Sequence, residues 1–430
     1  MTIRQLKYSR LDDKKATVRI AAFQRLHNLA KSSQDNEFRK NVFDVSCAHL
    51  RSMTSAKSYK EREGKSYPTE ECQVLLDIIF RDADFVFDRF PADLQKTHLV
   101  GVNFSGENLS DKNLAGADLS NVNFSNADLV DTNLSNADLS GANLSDANLT
   151  GANLSNALLV CATLSNTNLT GADLTNANLS GSKFLSSNFS GADFTNAKLL
   201  RVNLSGEYLL HAYLSEAILL HANLSSTNLS HARLWRACLS GADLSDTNLS
   251  NANLSHARLS HADLSGANLS NVNLSNADLS HAHLSCANLS CANLSGANLS
   301  HARLWRAYLS DANFSNANLS DTNISEARLS FTELWNANLR NADLSGAKFL
   351  HAKLYNANLT GANLSGARLW CTNFQCSELK GVEFKHVRSI TNADFRGAKI
   401  GDRPITKDDI PSEKSEYYAD WNPPPKKEES

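Results

Sequence analysis

The sequence predicts a mainly β solenoid preceded by an α-helical module, and three observations carry that expectation. From Leu99 to Phe384 every fifth residue is Leu, Phe or a single Ile, 58 positions in unbroken phase. Five is odd, so a continuous strand would point successive members of the series to opposite faces. An α-helix, at about 100° per residue, would scatter them around its circumference. A coil that turns a corner every five residues and sends each of these side chains inward satisfies the period. Residues 1–97 lack it and carry helical spacing instead.

The unit is written out in Ala142-Asn143-Leu144-Ser145-Asp146 and Ala267-Asn268-Leu269-Ser270-Asn271. Leu fills the interior, and Ala two positions earlier is small enough to share it. Asn or Asp, then Ser, then Gly, Asn, Asp or His take the outward and corner positions, where their side chains can bond the neighbouring backbone. This pattern resembles the pentapeptide-repeat family, whose A(D/N)LXX unit folds as a right-handed, quadrilateral parallel β-helix. The resemblance covers about 300 of the 430 residues. It implies coils of four pentapeptides, hence about 14.5 coils and a rod on the order of 70 Å long at ~4.8 Å per rung. The duplicated segments His231–Ala237 and His301–Ala307 lie seventy residues apart and are therefore expected on opposite faces.

Ahead of the repeat, Val18, Ala21, Ala22, Leu26, Leu29 and Ala30 follow the spacing of a buried helix face. Phe38, Val42 and Val45 suggest a second helix, and Thr69-Glu70-Glu71 can cap a third through Val74, Leu75, Ile78 and Ile79. The segments Val18–Leu26 and Val45–Leu50 are similar to the helical, HEAT-like leader of many bacterial members. Such a module would cover the apolar cross-section and strand edges of the first coil. Near the other end the phase slips by one residue between Phe384 and Ile390, an insertion expected at a corner. The chain thus divides into a capping module at 1–97, the β-helix at 98–400 and a charged tail at 401–430, with Tyr417, Tyr418 and Trp421 as unusual aromatics.

Composition narrows the function classes. The formal net charge is −3, and the eight Cys stand singly without a CxxC, so neither a disulfide framework nor a zinc site is indicated. The most apolar run, Val74 to Phe80, is interrupted by Asp77 and too short to span a bilayer; with no signal peptide in view, a cytoplasmic location is expected. The Asn-Leu-Ser triplets match the glycosylation sequon only as by-products of the repeat. Gly64-Lys65-Ser66 looks like the end of a phosphate-binding loop, but the earlier glycine that such a loop requires is replaced by Tyr59. His261, His281 and His301 are spaced to stack at one corner, where imidazoles could serve a transition metal; ordinary corner variation is the favoured reading, because His also fills that position at 211, 221, 231, 256 and 351. No catalytic arrangement, cofactor site or metal site is expected.

Some bacterial members of the family resemble B-DNA in width and potential and thereby bind type II topoisomerases. Such mimicry needs an acidic rod. Residues 99–197 carry 9 acidic and 2 basic side chains, but 198–400 carry 14 and 17, which argues against mimicry along the whole length. The outward positions are more informative. Leu200, Tyr208, Leu210, Tyr213, Ile218 and Leu220 form one expected apolar belt, with Leu200 and Leu220 in one column. A second pairs Trp335 and Tyr355 in one column with Leu350 and Trp370 on the adjacent face. Arg233, Trp235 and Arg236, repeated as Arg303, Trp305 and Arg306, set guanidinium groups beside an indole. Their expected placement on opposite faces disfavours a continuous nucleic-acid groove, so a protein contact or local stacking is the preferred use. The sequence points to a bacterial, cytoplasmic, non-enzymatic scaffold that presents flat faces to a protein partner, with self-association open. The alternatives are a partial DNA mimic and a secreted effector acting on host proteins.

Overall fold

A computed structural model describes residues 16–54, 70–80 and 92–410. They belong to two compact units, Met1–Val202 and Asn203–Ser430. Thr69, the Gly64-Lys65-Ser66 segment and the tail aromatics Tyr417, Tyr418 and Trp421 lie outside the described residues.

The first unit opens with helices α1 (Ala16–Ser32), α2 (Asn36–Met53) and α3 (Glu70–Phe80), each packed on the other two. The buried face of α1 is Ala22, Phe23, Leu26 and Ala30. Ala21 and Leu29, assigned to that face from sequence, are exposed. Ala21 lies about 140° around the helix from Leu26, and Phe23, the bulkier neighbour, turns the face toward itself. Asp35 caps α2 by accepting from the amides of Glu37 and Phe38. Burial in α2 centres on Val42, Phe43, Cys47 and Leu50, while Phe38 and Val45 are half-buried. In α3, Cys72, Leu75, Leu76 and Ile79 are buried, and Val74 is half-buried.

The coils then begin one pentapeptide earlier than the phase analysis placed them. Leu94 is buried and in phase, and the first rung joins Asp93 to Asn113. Along both units parallel bridges connect the residue before each inward Leu to its counterpart twenty residues on, so one coil comprises four five-residue sides. A typical rung is closed by Leu269 N–H to Asn288 O at 2.7 Å and Asn288 N–H to Ala267 O at 2.9 Å. Between sides the chain makes a turn: Val272 N–H donates back to Leu269 O, and the third turn residue, Asn271, has φ 56°. Positive φ at that position defines a type II turn, which explains why Gly, Asn, Asp and His fill it. The Asn or Asp before Leu accepts from the amide two residues on, as Asn268 Oδ1 does from Ser270 N–H, fixing the corner from the other side. Where Thr replaces the buried Ala, its hydroxyl is absorbed: Thr132 Oγ1 donates to Leu109 O, and Thr227 Oγ1 to Leu204 O.

The helices meet the edge of the first coils directly. The Gln73 side chain accepts from Asn103 N–H and donates to Asn103 O, so its amide takes the place of a missing rung. Thr54 O accepts from His98 N–H, Arg51 pairs with Asp93, and Phe80 packs edge-on to Phe104. Such bonding removes the unpaired groups that make a free sheet edge prone to association.

In the second unit the one-residue insertion is absorbed by a 3-10 turn at Phe384–His386, after which rungs span 21 residues, as in Asn373 to Asp394. Strands β1 (Lys348–Leu350) and β2 (Arg368–Trp370) pair in parallel; β3 (Lys399–Ile400) and β4 (Arg403–Pro404) pair antiparallel. The ten residues after Ile400, which composition grouped with the charged tail, fold over the last coil with Ile405 and Ile410 buried. Arg403 and Asp409 close this segment through two hydrogen bonds.

Candidate interaction surfaces

Each side of a coil offers two flanking positions around the inward Leu, and each corner offers one. Every exposed large aromatic among the described residues occurs between Tyr208 and Trp370, in the second unit. Among the described residues of the first unit, the exposed large apolar side chains are Leu29, Leu158, Leu185 and Leu200.

In the second unit, the members of the first expected belt are spread over three sides of the coil rather than gathered in a patch. Leu200 belongs to the first unit and is exposed. Tyr208, Tyr213 and Ile218 stand on three different ladders, above Asn228, Arg233 and Cys238. Tyr208 and Tyr213 are exposed, whereas Leu210, Ile218 and Leu220 are half-buried, because a short aliphatic chain lies down between neighbouring coils while a ring extends beyond them.

The two Arg-Leu-Trp-Arg copies stand on opposite faces, as the offset required: Arg233 is on the Tyr213–Asn253 ladder and Arg303 on the His283–Asn323 ladder, two sides away. Three of the four arginines lie over rings, and two of them also have carboxylate partners. Arg233 lies over the Tyr213 ring, Arg236 over Trp235 and Arg306 over Trp305, the last with its guanidinium 4.3 Å from the ring centroid. Arg236 also pairs with Glu216, and Arg306 with Glu326. The hydrogen bond from Arg306 holds the Glu326 carboxyl below its ordinary range.

The second belt is a continuous surface, and the structure enlarges it. Leu350 pairs with Trp370 across β1 and β2, and Glu333 with Lys353 beneath Trp335 and Tyr355 on the next side. Phe331, 49 % exposed, occupies the corner between these two sides and stacks on His351. Tyr308 stands on the same ladder as Arg328, Lys348 and Arg368. Trp335, Tyr355 and Trp370 are exposed and Leu350 is half-buried. Phe331 and Tyr308 escaped the sequence reading. Phe331 sits at the corner, where small polar residues are the rule, and its positive φ of 57° is costly for a bulky side chain.

His261, His281 and His301 stack as spaced, with centroids 4.7 and 4.8 Å apart and rings within 10° of parallel. Parallel rings direct their lone pairs side by side instead of at one point, and a metal ion needs nitrogens converging at about 2.0–2.1 Å. No group of metal-binding side chains occurs among the described residues. No helix among them is long and apolar enough to cross a membrane.

Comparison with known proteins agrees with the geometry. The family model of pentapeptide repeats (8 copies) matches ten stretches, from 97–136 to 357–401, well over half of the chain. The chain belongs to the pentapeptide repeat family and is a right-handed quadrilateral β-helix with N-terminal helices. Members of this family are generally structural or interaction proteins. HetL, a pentapeptide repeat protein involved in heterocyst differentiation regulation from the cyanobacterium Nostoc sp. strain PCC 7120, is 31% identical over 51% of this chain and 92% of its own, with a TM-score of 0.20. A trypsin-treated form of QnrB1, a plasmid-mediated fluoroquinolone resistance protein, is 22% identical over 47% of this chain and 91% of its own, with a TM-score of 0.24. A pentapeptide repeat protein of the Arabidopsis thaliana thylakoid lumen is 26% identical over 34% of this chain and 70% of its own, with a TM-score of 0.11. No curated protein matches the chain.

Proposed function

We propose that the protein is a non-catalytic, cytoplasmic, bacterial interaction scaffold whose second unit binds a protein partner. The observation that supports this reading is the gathering of Tyr308, Phe331, Trp335, Tyr355 and Trp370 around one corner of the coil. Inward Leu and small Ala already account for the fold, so outward aromatics add nothing that the core requires. A contiguous exposed apolar surface of this kind marks a contact site, and Trp and Tyr are the residues that anchor such contacts. Affinity capture with the parent and with a Trp335→Ser, Tyr355→Ser, Trp370→Ser variant tests it. A partner retained by the parent and lost by the variant supports the scaffold; identical captured sets reject this surface.

A second reading, the partial DNA mimic, draws on the first unit. Asp118 and Asp138 are successive members of one ladder, and Asp111 and Asp131 occupy corners twenty residues apart. The basic excess of 198–400 opposes it. The scaffold reading expects no inhibition of gyrase supercoiling by the purified chain. Inhibition at submicromolar concentration that fades with added salt would favour mimicry.

A further inference from the structure

Arg328, Lys348 and Arg368 follow one another on successive coils of a single ladder. Several outward cations of this unit find carboxylates: Arg236 with Glu216, Arg306 with Glu326, Lys353 with Glu333, Arg396 with Asp394 and Arg403 with Asp409. These three form no ion pair among the described residues; Arg328 lies over the Tyr308 ring and Arg368 over that of Trp370, and Arg328 and Lys348 are exposed while Arg368 is half-buried. Like charges one rung apart repel. The column is flanked by Leu350 and Trp370 on the same side and by Phe331, exposed at positive φ, on the corner. The surface therefore suits an extended segment that carries carboxylates and aromatic rings together.

Such a segment follows in this chain. Residues 413–421 contain Glu413, Glu416 and Asp420 interleaved with Tyr417, Tyr418 and Trp421. Ile410 is the last residue described and is buried in the fold that closes the final coil, while Arg368 and Trp370 lie one coil back, where Arg368 pairs with Ser389. Seven extended residues, Pro411 to Tyr417, reach about 20 Å. The column from Arg328 to Arg368 rises only two rungs, about 10 Å.

We propose that residues 413–421 occupy this surface, with the carboxylates on the Arg328, Lys348 and Arg368 column and the rings against Leu350, Trp370 and Phe331. The proposal goes beyond the scaffold reading and stands without it; an outside partner at this corner would first displace the segment. Its test needs only the purified full chain, so its failure and that of the scaffold reading are separable. Chymotryptic cleavage after Tyr417 and Tyr418 is timed by mass spectrometry across a range of protein concentrations. The parent is compared with an Arg328→Glu, Lys348→Glu, Arg368→Glu variant, and with that variant carrying Glu413→Lys, Glu416→Lys and Asp420→Lys as well. The expected result is cleavage at least tenfold faster in the first variant, protection restored in the charge-swapped one, and no dependence on protein concentration. Equal rates in parent and first variant would overturn the proposal. Protection that grows with concentration would also overturn it, by assigning the surface to a second copy.

Discussion

Arg306 donates to Glu326, one coil further along the chain, at 2.7 Å, whereas its sequence counterpart Arg236 reaches back one coil to Glu216 at 3.4 Å. Two copies of one heptapeptide thus use opposite neighbours to neutralise the same guanidinium. The glutamates lie outside the copied segment and on different sides of it, so the pairing is set by the twenty-residue coil and not by the motif. Ring and carboxylate together engage Arg236 and Arg306, so the second arginine of each copy is neutralised within the coil.

The inward assignment of the five-residue period has a direct test at Leu269, which is fully buried. Leu269→Asp places a carboxylate between stacked apolar rungs and should cost more than the ~2–5 kcal/mol typical of a buried Leu→Ala change. Asn268→Asp retains the acceptor for Ser270 N–H and gives up only the Nδ2 bond to Asn248, a loss of about 1 kcal/mol or less. Urea unfolding followed by circular dichroism should separate the two variants clearly.

At the corners, backbone conformation sets tolerance. His281 has φ 58°, so His281→Val should destabilise by ~1–2 kcal/mol because a β-branched residue resists the left-handed region. His281→Asn should be close to neutral, since Asn occupies the same conformation at Asn271 and Asn276. Equal unfolding midpoints for Val and Asn would contradict the turn assignment.

Thiol chemistry should divide the cysteines by position. Cys161, Cys286, Cys291 and Cys376 are exposed and should react promptly with a disulfide reagent at pH 8. Cys47 and Cys72 are buried, and burial pushes the Cys47 thiol up to about 12, so both should react only after unfolding.

Acid should loosen the closing segment of the second unit. The hydrogen bond from Arg403 holds the Asp409 carboxyl well below the usual range. A depressed folded-state value contributes stability that is fully present above the ordinary Asp value near 4 and is lost as pH falls through the folded one. Protection of the Ile405 amide, bonded to Ala398 O, should therefore begin to fall below about pH 4 and keep falling with further acid. Arg403→Gln should abolish most of that pH dependence.

The coil was legible because Leu269, Ala267 and Asn271 each answer to a local rule repeated without interruption. Leu94 continues the same phase one step before Leu99, and Arg89, five residues before it, ends the series there. The turn of the α1 face toward Phe23 was not legible, because two faces of that helix carry small apolar residues and packing on α2 and α3 chooses between them. Among the outward residues, the flanking positions of Trp335, Tyr355 and Trp370 could be read from the phase. Phe331 could not, because the corner rule anticipates polar residues there. The Arg306–Glu326 pair needs the coil length as well as the phase.

The central claim is that the aromatics of the second unit serve recognition and not the fold. Thermal unfolding of the Trp335→Ser, Tyr355→Ser, Trp370→Ser variant, read alongside its partner capture, tests it most directly. The expected result is a midpoint unchanged from the parent with capture abolished. A midpoint that drops by many degrees while capture persists would contradict it.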